Sequence, residues 1–266
     1  DFLEVRIEQR ESASLVFRLS SVDQVTAKVD LGGSVRALVN GGWGFAAFND
    51  LSSMAKACDD AITAAGYVGS FIPAEEKVRL ATVVPASDVV SLGLKRGSRD
   101  VSLEQKMKVL GGYAEILSKS DSRIVNSMVR YSDFYVKKYY CNSHGAFIES
   151  EGSDMNASMS ATALRDGRPV EAFEGIGSTL DFTDLEGKGE MARKVVATCI
   201  DSIAAEQVKA GSYTVVCDPQ LAGVFAHEAF GHLSESDFIA ENEDAKKMMT
   251  LGRRFGQDFL NIADEP

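Results

Sequence analysis

The clearest hairpin signal in this chain is Ser34-Val35-Arg36-Ala37-Leu38-Val39-Asn40-Gly41-Gly42-Trp43-Gly44-Phe45. Apolar and polar residues alternate up to Val39, as in a strand with one buried face. Asn40-Gly41-Gly42 then supply the positive φ angles that a tight turn demands. The glycine cluster lacks the Lys and the Ser or Thr of a phosphate-binding loop, so we interpret it as a hairpin turn followed by packing aromatic residues.

Similar alternation precedes this hairpin at Leu3 to Ile7, Ser14 to Leu19 and Gln24 to Val29. Leu31-Gly32-Gly33 has the composition of another turn, so these segments predict an antiparallel meander. A helix is expected over residues 51–66, with Asp50 or Ser52 as its cap and Gly66 as its terminator.

The middle of the chain begins with a Pro-containing, weakly patterned connection over residues 71–91. Ser102 and Gln105 have the spacing of a capping box and predict the start of a second helix. Five further strands are predicted, again antiparallel: Ser122 to Arg130, Asp133 to Tyr140, Ala146 to Ser150, Asp154 to Leu164, and Val170 to Ser178.

A long amphipathic helix is predicted over residues 187–209, followed by a buried strand over residues 213–217. Asp218-Pro219 then provides a cap with Pro at the first helical position, which predicts another helix. Together these elements predict an α+β fold in which an antiparallel β-rich region is combined with long helices.

Composition narrows the class of protein. The chain has 266 residues, of which 45% are hydrophobic and 25% charged, typical of a folded globular protein large enough for two domains. A formal net charge of −11 argues against nucleic acid as a partner. Four scattered cysteines suggest a reducing compartment, and no apolar run approaches the roughly 20 residues of a membrane span. We therefore expect a soluble, cytoplasmic protein with no membrane partner.

The chemistry of the chain concentrates in His227-Glu228-Ala229-Phe230-Gly231-His232, which holds two of the three histidines. Neutral imidazoles suit Zn²⁺, and a catalytic zinc normally takes three protein ligands and a water. We predict that His227 and His232 bind the metal. Glu228 would be the general base that takes a proton from the water, whose pKa the metal lowers to about 7.

The spacing of the two histidines differs from that of the common zincin motif, in which they are four residues apart. On an ideal α-helix five residues advance about 500°, which leaves the second ring about 140° from the first. We therefore predict that the helix breaks, with Gly231 adopting a positive φ so that His232 turns back toward His227. The alternative is an ordinary helix with two polar histidines, one packed and one exposed.

At this point the chain resembles a known family. Residues 224–232 are similar to the signature of the TldD/PmbA family of zinc peptidases, in its motif-bearing TldD-type branch. Gly42-Trp43-Gly44-Phe45-Ala46 resembles an early Trp-Gly-Phe segment of the family, and residues 260–266 resemble sequence that precedes the family's second half.

The resemblance implies a front domain over residues 1–209, comprising a meander and helix (1–70), a connecting segment (71–100), and a helix, strands and long helix (101–209). A β-rich catalytic domain would begin at residues 210–266. In TldD-type proteins a cysteine far toward the C-terminus is the third metal ligand. No residue here matches it, so we expect the C-terminal part to be missing and this fragment alone to be inactive.

The resulting hypothesis is a zinc metallopeptidase that hydrolyses peptides or unfolded polypeptides. The family resemblance also implies a homo-oligomer or a heteromer with a PmbA-type companion. Two alternatives remain: a non-catalytic assembly module, and a metal-dependent hydrolase of a small amide.

Weaker metal candidates lie elsewhere in the chain. Cys141-Asn142-Ser143-His144 could be half of a metal site, although a polar turn is favoured. Cys217 is a fallback third ligand, although a buried structural thiol is favoured. Glu235 and Asp237 could assist the metal or the substrate, although acidic residues beyond a helix end are usually only solvated.

Overall fold

The computed structural model describes residues 1–263. It has two compact units, one over residues 1–206 and one that begins at Gln207. The strands of the first unit are β1 (Phe2–Arg18), β2 (Ser21–Val39), β3 (Gly42–Phe48), β4 (Ser87–Val90), β5 (Ile124–Asn142), β6 (Phe147–Arg165) and β7 (Arg168–Ser178). Its helices are α1 (Met54–Phe71), α2 (Leu103–Lys119) and α3 (Gly189–Ala204).

The seven strands form one sheet in the order β3-β2-β1-β5-β6-β4, with β7 also paired to β6. All neighbours are antiparallel except β4, which runs parallel to the start of β6. The predicted α+β fold with a mostly antiparallel sheet is therefore confirmed. Residues 72–86, in the predicted connection, have no regular structure, whereas Ser87–Val90 form the short strand β4.

The hairpin between β2 and β3 forms as predicted. Val39 pairs with Gly42 across a two-residue loop, in which Asn40 has φ 50° and Gly41 has φ 84°. Positive φ at both loop residues matches the right-handed twist of the flanking strands.

Helix α1 packs directly on strand β3 because glycines leave room for it. A Cβ on Gly42 would lie 2.7 Å from the Ala65 carbonyl oxygen, and a Cβ on Gly44 would overlap the Ala61 carbonyl oxygen. The predicted end of this helix at Gly66 is wrong. Helix α1 continues to Phe71, since Gly69 lets its last turn pack against the hairpin loop.

The meander has fewer and longer strands than predicted. Leu31-Gly32-Gly33 is not a turn but lies inside β2, where Gly33 pairs with Ile7 of β1. Glycine is required there because a Cβ on Gly33 would lie 2.5 Å from the Arg6 carbonyl oxygen, a backbone atom, and would also overlap the ring of Phe48. The four short strands predicted before residue 40 are therefore two strands of 17 and 19 residues.

The strands predicted for the middle of the sheet are also fewer and longer in the structure. The two strands predicted on either side of Tyr131-Ser132 are one strand, β5, because Val129, Tyr131 and Asp133 continue one buried face without interruption. The two strands predicted around Glu151 to Ser153 are likewise one strand, β6, in which Gly152 remains paired with Val136.

Helices α1, α2 and α3 cover one face of the sheet and enclose two apolar clusters. Leu15 and Phe17 of β1 belong to the larger cluster, which α2 and α3 cover, and Leu3 and Val5 pack on the smaller cluster under α1. Helix α2 begins with the predicted capping box between Ser102 and Gln105.

A charged pair lies next to the larger cluster. The Lys106 Nζ of α2 donates a 2.6 Å hydrogen bond to Asp133 of β5, and the two side chains are only 7% and 5% exposed. Two such charges are tolerated at this depth because each neutralises the other.

The second unit has the helices α4 (Pro219–Ala226), α5 (Ser236–Glu241) and α6 (Glu243–Met248) and, in its described part, no strand. The strand predicted over residues 213–217 is wrong: the segment pairs with no strand of the described chain, and Val216 is 93% exposed. An apolar run forms a strand only where a neighbouring backbone satisfies its polar groups. Asp264-Glu265-Pro266, used in the family resemblance, lie outside the described residues.

None of the helices in the described part of the chain has the length and apolar character needed to span a bilayer.

Candidate metal centre

Helix α4 leads into the histidine motif and begins as its sequence predicts. The Asp218 carboxylate accepts a 2.8 Å hydrogen bond from the Leu221 N–H, and Pro219 occupies the first turn, where its missing N–H costs nothing. The helix ends at Ala226, immediately before the first histidine of the motif.

The motif itself forms a π-turn over His227–Gly231, after which a short 3₁₀ turn covers His232–Ser234. The His232 N–H donates to the His227 carbonyl oxygen five residues earlier, which is the hydrogen bond that defines a π-turn. Residues five apart therefore lie one turn apart. The predicted departure from regular α-turns is confirmed.

The predicted cause of that departure is wrong. Gly231 has φ −53° and ψ −58°, ordinary right-handed values, and not a positive φ. The extra residue is accommodated by widening one turn. A Cβ on Gly231 would lie 3.7 Å from the His227 Nδ1, an ordinary van der Waals contact, so the widened turn does not depend on glycine at this position.

The π-turn brings the two imidazoles together. The ring centroids of His227 and His232 are 4.4 Å apart and the ring planes differ by 71°. One potential ligand atom from each of His227, Glu228 and His232 lies within 4.8 Å of the others, and all three residues are exposed. The alternative of an ordinary helix with one packed and one exposed histidine is thus not what the structure shows, because both histidines are exposed and lie side by side.

His232 is flanked by two carboxylates. Its Nδ1 lies 2.7 Å from the Glu235 Oε1, and its Nε2 lies 3.6 Å from the Glu228 Oε2. The hydrogen bond with Glu235, with a further contribution from the charges of Glu235 and Glu228, raises the pKa of His232 above its ordinary value. The contact with Glu235 was not predicted, although the three-residue spacing within a 3₁₀ turn permits it.

The donor set suits zinc. Two imidazole nitrogens about 2.1 Å from a tetrahedral zinc ion are about 3.4 Å apart, and side chains exposed to solvent can close from within 4.8 Å to that separation. His227 and His232 would hold the ion, with Glu228 beside it. Within residues 1–263, this is the cluster of potential donors that the structure brings together.

The weaker candidates remain apart from this cluster. Cys217 is exposed, so the interpretation as a buried thiol is wrong, and it does not belong to the donor group. Cys141 and Asn142 end strand β5, and Ser143 and His144 lie in the turn to β6, where the Asn142 side chain accepts hydrogen bonds from the backbone N–H groups of His144 and Ala146.

The described chain contains an antiparallel α+β unit and, in its second unit, two histidines and a glutamate of the kind that metallopeptidase sites use. Three family models match the chain: PmbA/TldA metallopeptidase domain 1 over residues 3–65, the central domain over residues 96–209, and the C-terminal domain over residues 210–266. The chain belongs to the PmbA/TldD family.

Curated relatives carry matching names. A protein from Synechocystis named a metalloprotease is 34% identical over 99% of this chain and 56% of its own length. A protein from Saccharolobus solfataricus named a zinc metalloprotease TldD homolog is 27% identical over 100% of this chain and 56% of its own length. The chain thus spans little more than half the length of these relatives.

Solved structures share the fold. A Bacteroides thetaiotaomicron protein proposed to modulate DNA gyrase matches 91% of this chain and 55% of its own, with a TM-score of 0.75 and 19% identity. TldE from Thermococcus kodakarensis matches 75% of this chain and 44% of its own, with a TM-score of 0.58 and 14% identity.

Proposed function

We propose that the protein containing this chain is a zinc-dependent peptidase, in which His227 and His232 are metal ligands and Glu228 is the general base. The convergence of these three side chains at the π-turn is the observation that carries the proposal. The metalloprotease names of the relatives support it.

Bound zinc would lower the pKa of a water ligand to about 7 and polarise the scissile carbonyl of a peptide. Glu228 is adjacent in sequence to His227, and its carboxylate lies 3.6 Å from the His232 Nε2 and is exposed to solvent. It accepts the proton of the attacking water and donates it to the leaving amine. The exposure of the three residues lets an extended polypeptide approach.

The third ligand in this proposal is the cysteine that TldD-type proteins carry toward the C-terminus. We also propose that residues 1–209 form the front domain and residues 210–266 the beginning of the catalytic domain. The match of the C-terminal family model to residues 210–266 supports that division. Assembly with a PmbA-type companion is proposed for the full-length protein, and the shared fold with TldE supports it.

The substitution Glu228→Gln tests the assignment of the base. In the full-length protein we expect kcat for peptide hydrolysis to fall about 10²–10⁴-fold. Zinc content should stay at the wild-type value, because Glu228 is not a ligand. Glu241→Gln, at an exposed glutamate of α5 outside the donor group, is the matched control and should leave both unchanged.

The zinc content also separates a zinc peptidase from a non-catalytic assembly module, whereas a metal-dependent hydrolase of a small amide would be distinguished by a closed pocket in place of an open cleft. Protein purified without chelator should carry near-stoichiometric zinc that His227→Ala removes. Metal-free wild-type protein would instead favour an assembly module. A Glu228→Gln variant that cleaves peptides at the wild-type rate would refute the assigned base.

A further inference from the structure

We propose that Glu235 is a positioning residue for the metal centre, an inference that rests on the proposed function. Its carboxylate accepts the Nδ1–H of His232 and so keeps the Nε2 lone pair free for zinc. Glu235 thereby selects both the tautomer and the orientation of one ligand without touching the metal.

The contact is short and local. The His232 Nδ1 lies 2.7 Å from the Glu235 Oε1, within the range of a charge-assisted hydrogen bond. A 3₁₀ turn over His232–Ser234 places Glu235 three residues after the histidine, and the Ser234 hydroxyl stabilises that turn by donating a 2.8 Å hydrogen bond to the Gly231 carbonyl oxygen. Residues three apart eclipse one another in such a turn, so the carboxylate and the imidazole lie side by side.

The two ring nitrogens of His232 have different neighbours. Nδ1 lies 2.7 Å from the Glu235 Oε1, whereas Nε2 lies 3.6 Å from the Oε2 of Glu228, a member of the donor cluster. A neutral imidazole carries one proton, and a nitrogen must be unprotonated to bind a metal. With its proton held on Nδ1 by Glu235, His232 presents the unprotonated Nε2 to the donor cluster.

The two glutamates therefore have different roles toward His232. Glu228 lies near Nε2 without a hydrogen bond to it and is available for proton transfer, whereas Glu235 is hydrogen-bonded to Nδ1. Carboxylates that hold the second nitrogen of a ligating histidine typically contribute 10–100-fold to metal affinity or activity.

The tautomer of His232 in metal-free protein is the direct test. At a pH high enough that the ¹⁵N shifts of His232 no longer change on further titration, so that its imidazole is neutral, ¹⁵N-labelled histidine distinguishes Nδ1–H from Nε2–H by long-range couplings. We expect the Nδ1–H form to dominate at His232 in the wild type. Glu235→Ala should restore the Nε2–H form that prevails in an unconstrained histidine, and Glu241→Ala should change nothing.

Zinc affinity is the second readout, measured on full-length protein by competition with a chromophoric chelator. We expect Glu235→Ala to raise the zinc Kd about 10–100-fold. Glu235→Gln keeps an oxygen that can accept the Nδ1–H but lacks the charge, so it should retain the wild-type tautomer and show a smaller loss of affinity. Such partial rescue is not expected of a residue that only maintains the fold.

The outcomes distinguish this inference from the proposed function. If wild-type protein binds zinc and His232→Ala abolishes binding, but Glu235→Ala changes neither the tautomer nor the Kd, the positioning role is overturned and the peptidase proposal stands. If the tautomer responds to Glu235→Ala but the wild type binds no zinc, the peptidase proposal fails and the role of Glu235 toward a metal fails with it.

Discussion

The substitution Gly42→Ala should separate helix α1 from strand β3 and destabilise the first unit. A Cβ at this position would lie 2.6 Å from the Gly69 Cα and 2.7 Å from the Ala65 carbonyl oxygen. Carbon atoms in contact are normally about 3.5–4.0 Å apart, so the helix would have to move outward by about 1 Å. The obstacles are backbone atoms, which cannot rotate away.

The loss of stability follows from that displacement of the helix. A gap of about 1 Å forfeits up to about half of the dispersion attraction between facing atoms. The atoms affected line the smaller apolar cluster, in which Ala57, Ala61 and Ala65 of α1 are buried. Overpacking of this kind typically costs about 1–3 kcal/mol. For a unit of this size, the loss lowers Tm by about 2–12 °C.

Urea and thermal unfolding followed by circular dichroism would measure the loss, with Gly112→Ala as the matched control. Gly112 lies within helix α2, is exposed, and has no atom within 4 Å of an added Cβ. Alanine there should raise the free energy of unfolding by about 0.8–1 kcal/mol through helix propensity alone. A Gly42→Ala protein as stable as the wild type would refute the direct packing of helix backbone on strand backbone.

Two further predictions concern the rest of the first unit. Lys106→Met or Asp133→Leu alone should lower the free energy of unfolding by about 3–5 kcal/mol, because each leaves a buried charge without its partner. The double variant should be close to the wild type in stability. A double-mutant cycle by urea unfolding measures these changes, and additive losses would contradict the prediction. Ser102→Ala should cost about 1 kcal/mol by removing the cap of helix α2, and a loss below about 0.3 kcal/mol in the same assay would be inconsistent with the capping hydrogen bond.

Features governed by nearby residues were predictable from the sequence. The Asn40-Gly41 loop and the capping box of Ser102 and Gln105 depend on interactions within three or four positions, and both form as expected. Local chemistry of this kind is encoded in the turn and cap residues themselves.

Features governed by distant partners were not predictable. Gly32 and Gly33 have the composition of a turn, but Phe48 and strand β1 hold them in an extended strand. Gly66 has the composition of a helix end, but the packing of Gly69 against the hairpin extends helix α1 past it. In each case the tertiary contact prevails over the local preference.

The candidate site was also predictable only in part. Two histidines around a glutamate identify the chemistry from the sequence alone, and the five-residue spacing requires a departure from the α-helix. A widened turn and a break at Gly231 would both bring His232 back toward His227, and the sequence does not choose between them. The hydrogen bond from the His232 N–H to the His227 carbonyl oxygen decides for the π-turn.

Strand β1 has 17 residues and extends about 55 Å at about 3.3 Å per residue. Leu3 and Val5 at one end pack on the cluster under α1, and Leu15 and Phe17 at the other end lie in the cluster under α2 and α3. Strand β1 therefore contributes to the cores of both regions that separate domain models match, and its ladder of hydrogen bonds with β5 runs without interruption between them. Residues 1–206 should consequently melt in a single cooperative event, although their two cores are built from different parts of the sequence.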